Sequence, residues 1–437
     1  MRRLRARRGA LVIVAVGLIA VGSPPARAAA HSPSCELVYP AVTRCAFVAT
    51  DVASFVGTGP FHLRVSYTDS RGNAHTRYEV NAPAGVTTSV GTSDVRQIGI
   101  GDTVEAEVLG PGGSLGVGNP GAVPHSPVRV AEPPRLLGDT QVHDPAIVAS
   151  GGWYYVYSTG PGIPIRRSKD LLHWESAGRV FAATTGPPWA SRLVPGTPFP
   201  WAPDVSFFGG RWHLYYAVST FGAKRSVIGL ATNVTLDPSD PRYAWRDAGA
   251  VLESREVTDA SGGPTDYNAL DPNVVVGRAG VPHLVFGSFY GGLKSVRIDP
   301  VTGRPHLPVA PVPLATNVPE YTAVEGGYMI VRAGWYYLFG SYDYCCRGTD
   351  STYNVRVGRS RSVNGPFVDD LGIPMLAGGG RYVLTSHGDM RGPGHNSVLR
   401  RGDHFDIVFH WYDAANGGTP TLGILPLHWT ADGWPTT

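Results

Sequence analysis

The chain has 437 residues, of which 43% are hydrophobic and only 16% are charged. This length allows two or three structural units, and the hydrophobic content is sufficient for a large buried core. The formal net charge of +3 is small, which argues against a nucleic-acid partner. The 56 glycines and 38 prolines are typical of many short strands joined by tight turns.

The first 28 residues have the pattern of a signal peptide. Several arginines precede an apolar run at residues 10–21, and the small residues Ala26 and Ala28 follow it. The apolar run is short for a membrane span, so we expect a secreted mature protein without a membrane anchor. Residues 1–28 hold six arginines and no acidic residue, so their removal changes the net charge from +3 to −3.

Residues 31–122 are predicted to form a small β-sandwich-like accessory domain. The stretches 61–67 and 104–108 alternate apolar and polar residues with a period of two, and turns rich in Gly and Pro separate such runs. Cys35 and Cys45 lie in this segment, and an exported protein is expected to join them in a disulfide. Residues 123–134 are rich in proline and are predicted to be a semi-rigid linker.

Residues 135–437 are predicted to form a five-bladed β-propeller. Five copies of a weak repeat follow one another at a spacing of roughly 50 to 70 residues, each with an apolar or aromatic strand, a turn and a second strand. Radial repetition of such units gives a propeller, with one blade for each copy. The first strands of the copies lie at 153–157, 212–216, 283–287, 335–339 and 405–409.

An acidic residue or a histidine precedes each of these strands. Because the innermost strands of a propeller converge on its axis, we expect these side chains to meet. They lie in the segments 142–145, 201–204, 270–273, 324–327 and 394–397. Taken singly, an Asp-Pro pair is a common turn, Glu325 before two glycines fits a turn, and His395 fits a core histidine. Several carboxylates directed at one axis raise one another's pKa, which favours a catalytic site.

The chain from His143 to the C-terminus resembles glycoside hydrolase family 43, and within it the endo-α-1,5-L-arabinanases. The resemblance covers about two-thirds of the chain, and the N-terminal segment lies outside it. Tyr290 stands where the family often carries Trp, which affects the expected substrate contacts. The resemblance is carried by PWAPD at 200–204, VSTFG at 218–222, LDPN at 270–273, FGSF at 286–289, YCCRG at 344–348, GPGHN at 392–396 and DGWP at 432–435.

The resemblance implies a monomeric inverting glycoside hydrolase that cleaves plant cell-wall arabinan or arabino-oligosaccharides. Asp144 would be the general base that activates water, and Glu325 the general acid that protonates the leaving oxygen. Asp271 would orient Glu325 and raise its pKa. Inversion needs two carboxyl groups about 6.5–9.5 Å apart with room for a water molecule, and a neighbouring carboxylate keeps the acid protonated.

Other residues are expected to contact the substrate or to organise an ion. Trp201 and Phe221 would stack on furanose rings, although Trp201 also fits packing within its blade. The resemblance places His395 beside a central calcium ion, held through water molecules because calcium prefers oxygen ligands. The predicted substrate-binding residues are Trp201, Asp204, Phe221, Asn273, Ser288 and Tyr290.

Two other functions fit the same residues. An exo-acting α-L-arabinofuranosidase or β-xylosidase of the same fold would use the same three acids, since the cleavage mode depends on loop shape. A non-catalytic sugar-binding propeller is expected to have lost at least one acid, and all three are present. Cys345 and Cys346 are either a vicinal disulfide or two free thiols, and export favours the disulfide.

Overall fold

The computed structural model describes residues 133–437, apart from 257–264, 307, 309, 318–322, 371 and 387, together with the backbone of eight strands nearer the N-terminus. The signal peptide, most of the linker and the side chains of Cys35 and Cys45 lie outside the described residues, and the β-sandwich-like domain stays a prediction. The eight strands are β1 (Cys35–Tyr39), β2 (Val42–Cys45), β3 (Ala53–Phe55), β4 (Phe61–Thr68), β5 (Ala74–Ala82), β6 (Thr88–Val90), β7 (Thr103–Gly110) and β8 (Gly113–Gly118). They pair as β1-β2, β3-β6 and β5-β4-β7-β8.

Five antiparallel sheets follow, and they confirm the five predicted blades. The first blade also carries β9 (Leu137–Gly138), which pairs in parallel with its outer strand. Blade one contains β10 (Ala146–Ser150), β11 (Trp153–Tyr157), β12 (Pro164–Ser168) and β13 (His173–Arg179). Blade two contains β14 (Trp201–Phe208), β15 (Arg211–Val218), β16 (Ser226–Asn233) and β17 (Arg246–Ser254).

The remaining three blades repeat the same order of four strands. Blade three contains β18 (Asn273–Val276), β19 (Pro282–Phe286), β20 (Leu293–Arg297) and β21 (Val312–Ala315). Blade four contains β22 (Val324–Arg332), β23 (Trp335–Tyr342), β24 (Asn354–Ser360) and β25 (Arg381–Leu384). Blade five contains β26 (Met390–Arg401), β27 (His404–Asp413), β28 (Thr419–Trp429) and β29 (Pro435–Thr436).

Helical structure is sparse in the described part of the chain. The α-helix α1 (Pro188–Leu193) has six residues, and single 3-10 turns occur at Gly348–Asp350, Met375–Ala377 and Ala414–Asn416. Among the residues that the structure describes, no helix has the length and apolar character needed to cross a membrane.

The five blades close into a ring through their first strands. Each of β10, β14, β18, β22 and β26 contacts the first strand of the next blade, and β26 returns to β10. The chain before β10 completes the seam between blades five and one. Gln141 pairs with Thr421 of β28, and the amide of Leu422 donates to the carbonyl oxygen of Thr140 at 2.9 Å.

Apolar side chains fill each of the five spaces between neighbouring blades. Every space has its own cluster of buried residues, drawn from the two sheets that face it. Burying one such side chain contributes about 1.5–3 kcal/mol, so closure of the ring stabilises every blade. Facing pairs, from the space between blades one and two round to the seam, are Tyr157 and Tyr216, Ile228 and Phe286, Val285 and Leu338, Phe339 and Phe409, and Val408 and Val156.

A residue with left-handed backbone, which we call the bulge residue, stands at or just before the start of each innermost strand. In blades two, four and five the strand register shifts there, as between Trp201 and Asp204 or between Glu325 and Tyr328. Such a bulge bends its strand and redirects a side chain. The bulge residues and their positive φ angles are Asp144 (52°), Ala202 (44°), Asp271 (54°), Gly326 (58°) and His395 (48°).

Two residues beyond the bulge, side chains join neighbouring innermost strands. The buried Asp204 accepts hydrogen bonds from Asn273 Nδ2 and from the amide of Val274, both at 3.0 Å. Asn273 in turn accepts from the amide of Met329 at 2.9 Å. Burial raises the pKa of Asp204 to about 6 even though these hydrogen bonds oppose the shift. The hydrogen bonds from Asn273 to Asp204 and from Met329 to Asn273 therefore join neighbouring blades, and contact of Asp204 and Asn273 with substrate stays a prediction.

Replacing Asp204 by Ala is expected to lower the stability of the propeller. The change leaves two buried donors without an acceptor, and each costs about 1–3 kcal/mol. Denaturant unfolding measures the loss, with Asp403→Ala at an exposed hairpin turn as the matched control. Full stability combined with weaker saccharide binding would instead support the substrate contact predicted from sequence.

Candidate active site

The bulges place four predicted residues in one group, which we call the central cluster: Asp144, Asp271, Glu325 and His395. Its most highly connected member is Asp144. Asp144 Oδ1 lies 2.8 Å from His143 Nδ1 and 3.2 Å from His395 Nδ1, and Oδ2 accepts a hydrogen bond from the Thr159 hydroxyl at 2.5 Å. Burial acts to raise the pKa of Asp144, but the nearby histidines, His143 foremost, outweigh it and hold this pKa well below the usual range. The Asp144 carboxylate is therefore ionised at neutral pH.

Side chains on or just beyond the second strand of one blade hold the bulge residue of the next blade. In three blades, the residue opposite the bulge accepts the amide hydrogen of the bulge residue in the following blade. This contact fixes the backbone from which the site side chain projects. The acceptor and donor residues are Thr159 with Ala202 at 2.7 Å, Ser341 with His395 at 2.7 Å, and His410 with Asp144 at 3.1 Å.

Blade three lacks this side chain because Gly287 occupies the position opposite its bulge. The amide of Gly326 in blade four instead donates to Asp271 Oδ2 at 3.0 Å. Since Gly326 directly follows Glu325, this bond connects the Asp271 carboxyl group to the backbone that carries Glu325. The contact gives Asp271 a fixed orientation beside Glu325.

Glu325 lies one residue earlier in the repeat than Asp144, Asp271 and His395, whereas the sequence analysis placed all four at equivalent positions. Ser288 donates a hydrogen bond to Glu325 Oε2 at 2.5 Å, and the Tyr353 hydroxyl donates to Oε1. Burial raises the pKa of Glu325. The two hydrogen bonds oppose this shift, the charge of Asp144 adds to it, and the net pKa is raised.

Asp271 and Glu325 form a buried acidic pair. Burial, then the charge of Glu325, then that of Asp144 raise the pKa of Asp271 well above its ordinary value, while the hydrogen bond from Gly326 opposes the shift. Two carboxyl groups that interact in this way retain a proton to higher pH than either would alone. The central cluster thus contains one ionised carboxylate and one pair that holds a proton.

The predicted aromatic substrate contacts belong to two neighbouring blades, and two of them are exposed. Phe221 is 82% exposed and Tyr290 is 41% exposed, whereas Trp201 is partly buried. The Tyr290 hydroxyl donates to the carbonyl oxygen of Gly222 at 3.0 Å, so it joins the Phe221 loop to blade three. Ser288 is buried and hydrogen-bonded to Glu325, which gives it a contact to a site carboxyl group.

Cys345 and Cys346 form a disulfide in the structure, as export and adjacency favoured. The amide of Cys346 donates to the Tyr412 hydroxyl oxygen at 2.8 Å, and the same oxygen lies 2.8 Å from His143 Nε2. The disulfide turn is therefore connected to the neighbourhood of Asp144.

The polar groups near Asp144 do not fit a directly coordinated calcium ion. His143, Asp144 and His410 present ligand atoms close to one another, but this set supplies two imidazoles and one carboxyl group, and calcium takes six to eight oxygen ligands. Within the described residues, the buried Asn396 amide group and His410 Nε2 have no hydrogen-bond partner. Buried polar atoms of this kind are usually satisfied by water, so an ion here would need water ligands.

Sequence reasoning missed four residues that shape the site: Thr159, Ser341, Tyr353 and His410. Three of them, Thr159, Ser341 and His410, occupy the same place in the repeat, on or just beyond the second strand. An alignment of the five copies could have found these three, because each is polar at that place. Tyr353 lies in a loop outside the repeat, and no sequence pattern distinguishes it.

The described propeller thus brings together carboxyl groups whose pKa values are shifted in opposite directions, which are groups suited to acid–base chemistry. The chain belongs to the glycosyl hydrolases family 43, whose model matches residues 137–435. Membership of this family makes the protein a glycoside hydrolase, and the three predicted acids all lie within the matched residues.

Named relatives and solved structures agree with this assignment. The chain is 38% identical over 304 residues to the extracellular exo-α-(1→5)-L-arabinofuranosidase ArbA of Cellvibrio japonicus, covering 67% of this chain and 85% of the relative. It is 34% identical over 300 residues to the extracellular endo-α-(1→5)-L-arabinanase 1 of Bacillus subtilis, covering 68% and 87%. The solved structure of a Cellvibrio cellulosa α-L-arabinanase complexed with arabinohexaose has a TM-score of 0.63 and 37% identity, covering 68% of this chain and 96% of that one.

Proposed function

We propose that this protein is a secreted, inverting hydrolase of α-1,5-linked L-arabinan. The observation that carries the proposal is the opposite shift of two pKa values within one cluster: that of Asp144 is lowered and that of Glu325 is raised. A general base must be ionised and a general acid protonated at the same pH. Arabinanase and arabinofuranosidase relatives support the substrate class, and relatives named extracellular support secretion.

In the proposed reaction, a water molecule attacks the anomeric carbon of an arabinofuranosyl unit. Asp144 accepts the proton that this water loses, and Glu325 gives its own proton to the departing glycosidic oxygen. The bond between carbon and the leaving oxygen breaks as the new bond to water oxygen forms, so the configuration at carbon inverts. Exchange of one proton with solvent at each carboxyl group restores the starting state.

Asp271 is proposed to keep Glu325 protonated and correctly placed. Repulsion between the two carboxyl groups holds a proton on the pair, and the hydrogen bond that Asp271 accepts from the amide of Gly326 anchors the backbone next to Glu325. The hydrogen bonds from Ser288 and Tyr353 act in the opposite direction and limit the rise in the pKa of Glu325. The pKa of Glu325 is therefore determined by two influences that act in opposite directions.

The cleavage mode is proposed to be endo, with exo action as the second candidate. The exposed Phe221 and Tyr290 offer aromatic surface beyond the central cluster, which suits a polymer that extends past the cleaved bond. Exo action is favoured by the 38% identity to an enzyme named as an exo-acting arabinofuranosidase. Product analysis on linear arabinan separates the two modes, since a ladder of oligomers shows endo cleavage and monomer alone shows exo cleavage.

Replacing either Asp144 or Glu325 by Ala is expected to abolish arabinan hydrolysis without unfolding the protein. General acid and base groups contribute about 10²–10⁴-fold each. Steady-state rates on linear arabinan test this, with circular dichroism and thermal melting to verify the fold. If either variant retains more than about a tenth of the wild-type rate, the replaced residue is not the general acid or base.

Asp271→Asn and Tyr353→Phe are expected to move the alkaline limb of the kcat profile in opposite directions. This limb reports loss of the proton from Glu325. Removing the Asp271 charge lets Glu325 ionise at lower pH, so the limb moves down. Removing the Tyr353 hydrogen bond, which favours the ionised form, moves the limb up. Tyr337→Phe is the matched control, because its hydroxyl donates to Gly433 away from the cluster. Shifts of the same sign for both variants would contradict the assignment of the acid.

We also propose that a calcium ion is organised near His395 through water molecules. The unpaired buried amide of Asn396 beside it supports a water cluster at this position. Dialysis against a chelator is expected to lower the melting temperature, with restoration by calcium and not by magnesium. An unchanged melting temperature after chelation would contradict the proposed calcium ion.

A further inference from the structure

We propose that Tyr412 is a positioning residue for the general base, acting on Asp144 through His143. This inference rests on the proposed function, in which Asp144 activates water. Tyr412 Oη lies 2.8 Å from His143 Nε2, and His143 Nδ1 lies 2.8 Å from Asp144 Oδ1. One imidazole ring therefore connects a hydroxyl group of blade five to the carboxylate of blade one.

The direction of these hydrogen bonds follows from the donors and acceptors present. The backbone amide of Cys346 can only donate, and it donates to Tyr412 Oη at 2.8 Å. The hydroxyl hydrogen of Tyr412 is then free to be donated to His143 Nε2. A neutral imidazole that accepts at Nε2 carries its own hydrogen at Nδ1, which faces Asp144 Oδ1, and a protonated imidazole donates from both nitrogens. In either state the contacts with Tyr412 and Asp144 hold a ring that donates from Nδ1 to the general base.

The Tyr412 contact also helps to fix which way the His143 ring faces. The ring stacks on His410 with centroids 3.8 Å apart and planes 24° from parallel. Stacking restricts the tilt of the ring, but it does not distinguish the ring from one turned by 180° about its bond to Cβ. The turned ring presents carbon atoms in place of nitrogen to both Asp144 and Tyr412. The hydrogen bonds at Nδ1 and Nε2 therefore act together to hold the observed orientation, and Tyr412 supplies the second of them.

Loss of the hydrogen bond between Tyr412 and His143 is expected to lower kcat more than it weakens substrate binding. Asp144 is held through Oδ1 by His143 and through Oδ2 by Thr159, so it loses one of its fixed donors when the ring turns. The carboxylate then samples orientations that do not face the attacking water. Tyr412 Oη itself is occupied by Cys346 and His143, so its removal takes no hydrogen bond from the substrate.

The test begins with Tyr412→Phe in the full chain, assayed on linear arabinan. We expect kcat to fall about tenfold, which corresponds to the loss of about one buried hydrogen bond, while KM stays within about twofold. Tyr337→Phe is the control, because it removes one hydroxyl hydrogen bond from an equally buried tyrosine distant from the cluster. Unchanged kcat in Tyr412→Phe, or a rise in KM with unchanged kcat, overturns the inference.

A double-mutant cycle tests whether the effect passes through His143. His143→Asn retains an N–H near Asp144 but cannot reach Tyr412, and His143→Gln retains a group near Tyr412 but not the Asp144 donor. In either background Tyr412→Phe is expected to cause no further loss, since the path is already broken. An undiminished tenfold loss there shows that Tyr412 acts by another route. If Asp144→Ala remains active, the proposed function fails; if Asp144→Ala is inactive and Tyr412→Phe is fully active, only this inference fails.

Discussion

The left-handed bulge at the start of each innermost strand determines how this propeller is able to form a site. Without the bulge, side chains there would continue the alternation of the sheet and point into the spaces between blades. The left-handed residue redirects the chain in each blade and helps to bring Asp144, Asp271, Glu325 and His395 together, and the residues that follow return to ordinary pairing. Because the five first strands contact one another in a ring, redirecting their side chains at the same level makes them converge. The convergence of acids is thus a property of the backbone.

The conformation restricts which residues can stand at the bulge. A positive φ disfavours most side chains, and short polar residues such as Asp tolerate it better than others. Asp144 and Asp271 combine this tolerance with a carboxyl group, while blade four uses glycine and presents Glu325 from the preceding position. The longer Glu side chain reaches the cluster from there. Backbone strain of this kind costs about 1–3 kcal/mol for a residue and persists where surrounding contacts enforce it, as the amide acceptors Thr159 and Ser341 do here.

The five blades, the three acids and their common location could be predicted from the sequence, because each blade repeats a recognisable strand and each acid precedes one. The position of Glu325 within its repeat could not be predicted. A bulge shifts the register of strand pairing, and no pattern of residue types marks where it occurs. Asp204 and Asn273 resemble the site residues in the sequence. Each lies two residues beyond the bulge residue of its blade, and there they form hydrogen bonds between blades. Tyr353 joins the site from a loop, where sequence periodicity carries no information.

The electrostatic asymmetry of the site follows from where the ring closes. Asp144 lies at the seam between blades five and one, and three of its neighbours, His395, His410 and, through His143, Tyr412, come from the last blade of the chain. Glu325 lies away from the seam and faces groups from blades three and four. The base is therefore assembled only when the two ends of the propeller meet, through the pairing of residues 140–142 with β28. A chain whose last blade is undocked would retain the acidic pair and lack an organised base, so ring closure and catalytic competence are a single structural event.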